Sequence, residues 1–176
     1  ITITAYDKIA VYASPIPTLS ATISGFEDGE SLATSDITGS PDCTTTATAS
    51  SPVEDYPITC TVGTLESEDY TFETLTPGTL TITQTSSVVN VDCPASVTYN
   101  GSAQTPCTAS VTGVGGLNQS LGINYTNNIN AGIAQSRASY AGYTNHTGSS
   151  DSQDFEIAKA DATCTINGYS GVYDAT

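Results

Sequence analysis

The chain has no tryptophan, no methionine, three phenylalanines, one histidine and only three Lys and Arg together. Each shortage excludes something. A core has to be assembled from Val, Ile, Leu and the 10 tyrosines, and small domains made this way often need covalent bracing. Recognition of a phosphate backbone needs clustered Lys and Arg, so nucleic acid is excluded as a partner and anionic membrane surfaces are disfavoured. No apolar run is long enough to span a bilayer, so no membrane insertion is expected in this segment. There is no His/Cys cluster, so the five cysteines read as disulfides of an oxidising compartment, with no metal and no cofactor.

What is present is acid and hydroxyl. Eighteen Asp and Glu give a formal charge of −15, which suits a soluble, non-sticking extracellular fibre. The chain begins at Ile1 rather than Met, which reads as a piece excised or processed from something longer.

Strand signals dominate. Thr or Ser alternates with Val, Ile, Leu or Tyr over Ile1–Thr4, Leu19–Ser24, Thr44–Ala49, Tyr56–Val62, Thr79–Thr83, Val88–Asp92, Ser96–Tyr99, Ala109–Val111, Gly122–Tyr125, Ala134–Tyr140 and Phe155–Ile157. A period of two with turn residues between predicts half-buried strands. Asp28–Ser35 lacks alternation and carries capping residues, so a helical turn or two is expected there.

Phrases recur along the chain. Pro77-Gly78-Thr79-Leu80-Thr81-Ile82-Thr83-Gln84 closes one unit, and Ile1-Thr2-Ile3-Thr4 reads as the tail of an earlier one. Cys93 followed by Tyr99-Asn100-Gly101 opens a second unit, and Cys164 followed by Tyr173-Asp174 restarts that phrase. The expected division is 1–4 as the terminal strand of a preceding repeat, 5–85 and 86–159 as two β domains, and 160–176 as the start of a third repeat. Linkers this short should set neighbouring domains nearly end to end.

The cysteines follow the same grammar. Cys43 and Cys60 flank Ser50-Ser51-Pro52-Val53 almost symmetrically, so a hairpin would place them opposite one another. Cys93 and Cys107 flank Asn100-Gly101, a hairpin signal whose off-centre position suggests a bulge. Cys164 is left unpaired within the fragment, with either a partner in the next repeat, a partner in another chain, or a free thiol.

Ser24-Gly25-Phe26, Gly29-Glu30-Ser31-Leu32-Ala33-Thr34, Ser51-Pro52-Val53, Tyr56-Pro57-Ile58-Thr59, Tyr70-Thr71-Phe72 and Gly78-Thr79-Leu80-Thr81-Ile82-Thr83 together resemble the MBG-type repeat of bacterial surface proteins and adhesins. Two departures stand out. Ala13-Ser14 replaces a common Gly-Asp pair after Val-Tyr, and Glu54-Asp55 replaces a usual Gly before the Tyr. From Cys93 to Ser152 the chain is similar to bacterial Ig-like repeats. These resemblances imply a mostly β chain of tandem small domains, the first β-grasp-like with at most one short helix, the second an Ig-like β-sandwich. They bring no catalytic residues with them.

Chemistry has thin raw materials. His146 lies in a loop-like stretch and reads as exposed and inert, since a triad would need a nucleophile and an orienting carboxylate around it. Glu27-Asp28, Glu66/Glu68/Asp69 and Asp151/Asp154 are candidate carboxylate pairs or weak calcium ligands, read here as solvated loops without EF-hand spacing. Lys8 and Lys159 raise the question of isopeptide bonds, but both sit near unit boundaries. Asn100, Asn118, Asn124 and Asn145 head Asn-x-Ser/Thr sequons and are candidate glycosylation sites.

The sequence therefore points away from an enzyme and toward a structural or adhesive repeat segment of an extracellular, cell-surface or secreted stalk or fibre. Its partners would be neighbouring repeats of its own chain. Two alternatives remain: a filament subunit joining other copies by strand exchange through Ile1–Thr4 or the segment after Ala160, and a module for a glycan or protein receptor. The last would show an exposed aromatic cluster, with Tyr125, Tyr140 and Tyr143 as candidates.

Overall fold

Alternating β-branched and hydroxyl residues produce fourteen strands in the computed structural model, which describes residues 1–168, 170–171 and 173–174. The first seven are β1 (Thr2–Ala5), β2 (Lys8–Val11), β3 (Ala21–Ser24), β4 (Asp42–Thr45), β5 (Asp55–Thr61), β6 (Thr74–Thr76) and β7 (Gly78–Thr83). They form two sheets, ordered β3-β1-β6 and β2-β7-β5-β4.

A single break in each of two neighbouring ribbons turns one sheet into the other. β1 runs parallel to β6, and after Tyr6-Asp7 the same ribbon, as β2, runs parallel to β7. Pro77 separates β6 from β7 and has no N–H to continue a ladder. Gly78 follows because a Cβ there would lie 2.9 Å from the Ala5 carbonyl oxygen. The Thr79 N–H is taken instead by Asp7 Oδ1 at 2.7 Å, which pins the corner.

Ile3, Ile58 and Leu80 are completely buried between these sheets, with Ala10, Ile37, Leu65 and Ile82 around them. Full burial of such a side chain contributes about 1.5–3 kcal/mol.

Two expectations change here. Ile1–Thr4 does not stand apart as the tail of another repeat: β1 is a central strand, antiparallel to β3 and parallel to β6. Asp28–Ser35 is a run of turns rather than helix. The Thr34 hydroxyl bonds both the N–H and the carbonyl of Ser31, and Asp28 and Gly29 adopt positive φ of 52° and 80°. Side chains that satisfy the backbone locally compete with helix.

The remaining strands are β8 (Val88–Asp92), β9 (Ser96–Thr98), β10 (Thr108–Gly113), β11 (Leu117–Ser120), β12 (Asn124–Thr126), β13 (Gly132–Tyr143) and β14 (His146–Ala158). They form sheets ordered β11-β10-β8 and β12-β13-β14-β9, with one 3-10 turn at Val114–Gly116. Val89, Val91, Val111 and Ala138 make one buried cluster, and Ala134, Phe155 and Ile157 another. Neither cluster shares a residue with the one around Ile3. Among the described residues every buried side-chain polar atom has a hydrogen-bond partner.

The disulfides tie neighbouring strands of one sheet to each other. Cys43 and Cys60 are directly opposed in the β4–β5 ladder, their Cα atoms 4.0 Å apart, and are bonded. Cys93 and Cys107 are also bonded, with Cα atoms 4.3 Å apart. They do not flank a simple hairpin, which corrects the expectation drawn from Asn100-Gly101. Cys93 follows β8 and Cys107 precedes β10, and these two strands pair with Asp92 opposite Thr108. The chain between them crosses to the other sheet, where β9 runs parallel to β14. Asn100 accepts from the Ser102 N–H at 2.9 Å, a local turn rather than a ladder.

Candidate functional site: the junction around His146

The longest element is the β13–β14 hairpin, whose pairing runs from Gly132 opposite Ile157 to Tyr143 opposite His146. Thr144-Asn145 is its turn, and this tip reaches the four-residue link between β7 and β8. The Thr85 N–H donates to the Asn145 carbonyl at 3.0 Å, and the Thr147 N–H donates back to Thr85 at 2.8 Å. Gln84 Nε2 donates to the carbonyl of Thr144 at 3.2 Å, and Ser87 Oγ to that of Thr147 at 2.7 Å. Asn145 Oδ1 accepts from the Val53 N–H at 3.0 Å, a contact to the loop leading into β5.

His146 sits at the centre of these contacts. It is 7% exposed and begins β14, so the reading of an exposed histidine in a loop is overturned. Its ring packs edge-on against Tyr12, centroids 5.6 Å apart, and Nε2 donates to the Val114 carbonyl at 2.9 Å. That bond fixes the tautomer, because a carbonyl only accepts. Gly113 and Gly115 make room for it. A Cβ at Gly113 would lie 2.9 Å from the His146 ring, and one at Gly115 2.5 Å from the Tyr12 hydroxyl.

The other carboxylate candidates are dispersed by strand geometry. Asp151 and Asp154 are three residues apart on β14, hence on opposite faces. Asp151 accepts from the Val91 N–H at 2.8 Å and Asp154 from Gln135 Nε2 at 3.1 Å. The loop reading is therefore corrected, since both lie on a strand; Asp154 stays exposed, whereas Asp151 satisfies the Val91 N–H on the edge of β8 and Gln153 that of Cys93 just beyond it. Glu66, Glu68 and Asp69 lie around Asp36, which the sequence did not single out. Asp36 accepts from Ser67 Oγ at 2.6 Å and from the N–H groups of Glu68 at 2.6 Å and Asp69 at 3.3 Å. The Ser67 hydrogen bond, then the Glu68 N–H, hold its carboxyl below the usual value. Glu30 accepts from the Tyr70 hydroxyl at 2.7 Å, which raises that phenol.

Tyr125 does not join Tyr140 and Tyr143. Its ring packs edge-on against Phe155 at 6.2 Å, and its hydroxyl accepts from the Cys107 N–H at 3.0 Å. Of the sequon asparagines, Asn100, Asn118 and Asn124 are exposed, whereas Asn145 is half-buried at the junction. Cys164 is exposed and unbonded among the described residues. The expected third repeat, 160–176, includes Tyr169, Val172, Ala175 and Thr176, which lie outside the described residues.

Residues 1–81 match the family model of the MBG domain (YGX type), which supports an MBG-type repeat over that span. MBG repeats are structural, adhesin-type modules of cell-surface proteins and not an enzyme family. No curated protein matches the chain. Among the described residues no helix is long and apolar enough to cross a membrane.

Proposed function

We propose that this chain is a spacer segment of an extracellular surface stalk, in which an MBG-type unit and a following Ig-like unit are held at a set angle by the β13–β14 tip. The carrying observation is the clamp on Thr85, where Asn145 accepts from the N–H and Thr147 donates to the carbonyl of this one linker residue, while Asn145 also grips Val53. A four-residue link alone limits reach but not rotation. Backbone hydrogen bonds in a partly buried seam contribute about 0.5–1.5 kcal/mol each, and several together oppose bending. The disulfides act within each unit, opposing its unfolding by restraining the unfolded chain.

Strand exchange through Ile1–Thr4 has less support, since both edges of β1 are occupied within the chain. Small-angle X-ray scattering of the full chain and of Thr85→Pro/Asn145→Ala, which removes the Thr85 N–H and the grip on Val53, tests the spacer. The expected result is one arrangement for the parent and a broadened distance distribution for the variant. Superimposable curves, or a parent that already needs an ensemble, would reject the clamp.

A further inference from the structure

Beside the clamp lies a groove of about 680 Å³, floored by glycines at 115, 116 and 142 and walled by Tyr12, Tyr140 and Tyr143. We infer that this groove is a binding site for a neutral saccharide, resting on the junction geometry used above. The volume falls within the range of small-ligand sites, roughly 300–1,000 Å³. Its wall chemistry is selective. No Asp, Glu, Lys or Arg lines it, whereas the cleft beside Asp36 is lined by Glu66, Glu68 and Asp69 as well. An ionic ligand would find no counter-charge in the groove. An anionic one would also approach a chain of net charge −15.

What the groove does offer is aromatic surface beside neutral hydrogen-bonding groups. Tyr143 is 78% exposed, while Tyr12 and Tyr140 are half-buried and so held in place. An aromatic ring has an electron-rich face that accepts the polarised C–H groups of a pyranose. Gln119, which is exposed on β11, and Thr144 at the turn present both donors and acceptors to hydroxyls. Such a combination of tyrosine rings, amides and no charged side chain fits a polyhydroxyl ring. The approach is open at Gly116, where a Cβ would have nothing within 4 Å.

The test is nuclear magnetic resonance titration of the full chain with neutral hexose oligosaccharides of α and β linkage, and with a uronic-acid oligomer of equal length as the charged control. Concentrations should reach about 10 mM, where a millimolar Kd approaches saturation. With no tryptophan in the chain, tyrosine fluorescence gives a second readout. A neutral oligomer should shift amides of residues 115–119 and 142–146, and Tyr143→Ala and Gln119→Ala should each weaken binding roughly fivefold with scattering unchanged. Silence from every neutral oligomer, shifts elsewhere, equal binding of the uronic-acid oligomer, or wild-type affinity in Tyr143→Ala would overturn the site. An unchanged scattering curve alongside such a failure would leave the spacer intact, so the two readings fail separately.

Discussion

At the scale of single residues, Ala13 carries a cost that the chain does not need. Its φ is 64°, in the left-handed region, where a Cβ costs about 1–2 kcal/mol relative to glycine. The MBG resemblance places a glycine there, and the turn geometry supplies the reason: the Ala13 N–H bonds Ala49 and the Ser14 N–H bonds Val11. Ala13→Gly should therefore raise urea-unfolding stability by about 1 kcal/mol, and a loss would mean that the turn is held differently. Asp36 gives a pH signature. Its carboxyl is lowered on folding, so its contribution is complete above the ordinary carboxylate range and fades as pH falls through the lowered value. The amide signals of Glu68 and Asp69 should titrate with a midpoint below that of a free aspartate. A midpoint at or above it would show that the carboxylate is not holding this loop.

Among the elements, the disulfide pairs are where stability concentrates. Each closes a short loop, 17 residues for Cys43–Cys60 and 14 for Cys93–Cys107, and such closure contributes about 3 kcal/mol in the chain-entropy picture. Replacing both cysteines of either pair by serine should lower unfolding stability by about that amount, measured in denaturant at neutral pH. A change under a third of it would place the bracing elsewhere. Strands whose inward positions are apolar were legible in the sequence: Val88–Asp92 buries Val89 and Val91 and shows a clean period of two. The first half of β14 was not. Its inward residues are Ser149, Asp151 and Gln153, which meet β8 and its approach through hydrogen bonds rather than apolar packing, so no hydrophobic alternation marks it. β2 was missed because its one buried residue is Ala10 while Ile9 and Val11 face outward, and β6 because all three of its residues are exposed. The junction was illegible for a related reason. His146 is buried by Tyr12 and Val114, and nothing local to either segment announces the other.

For the whole molecule, the question is whether two sets of sheets move as one. Their buried clusters are separate, so any common orientation must come from the tip of β13–β14 and its grip on Tyr12, Val53, Gln84, Thr85 and Ser87. Loss of His146 should loosen that grip without unfolding either half, because its ring packs between Tyr12 and the 3-10 turn and lies outside all three clusters. Residual dipolar couplings of the backbone amides measure the orientation directly. In one alignment medium, couplings from strands within residues 2–83 and within 88–158 should fit a single alignment tensor. Two tensors of different magnitude would show the halves turning independently and would contradict the clamp.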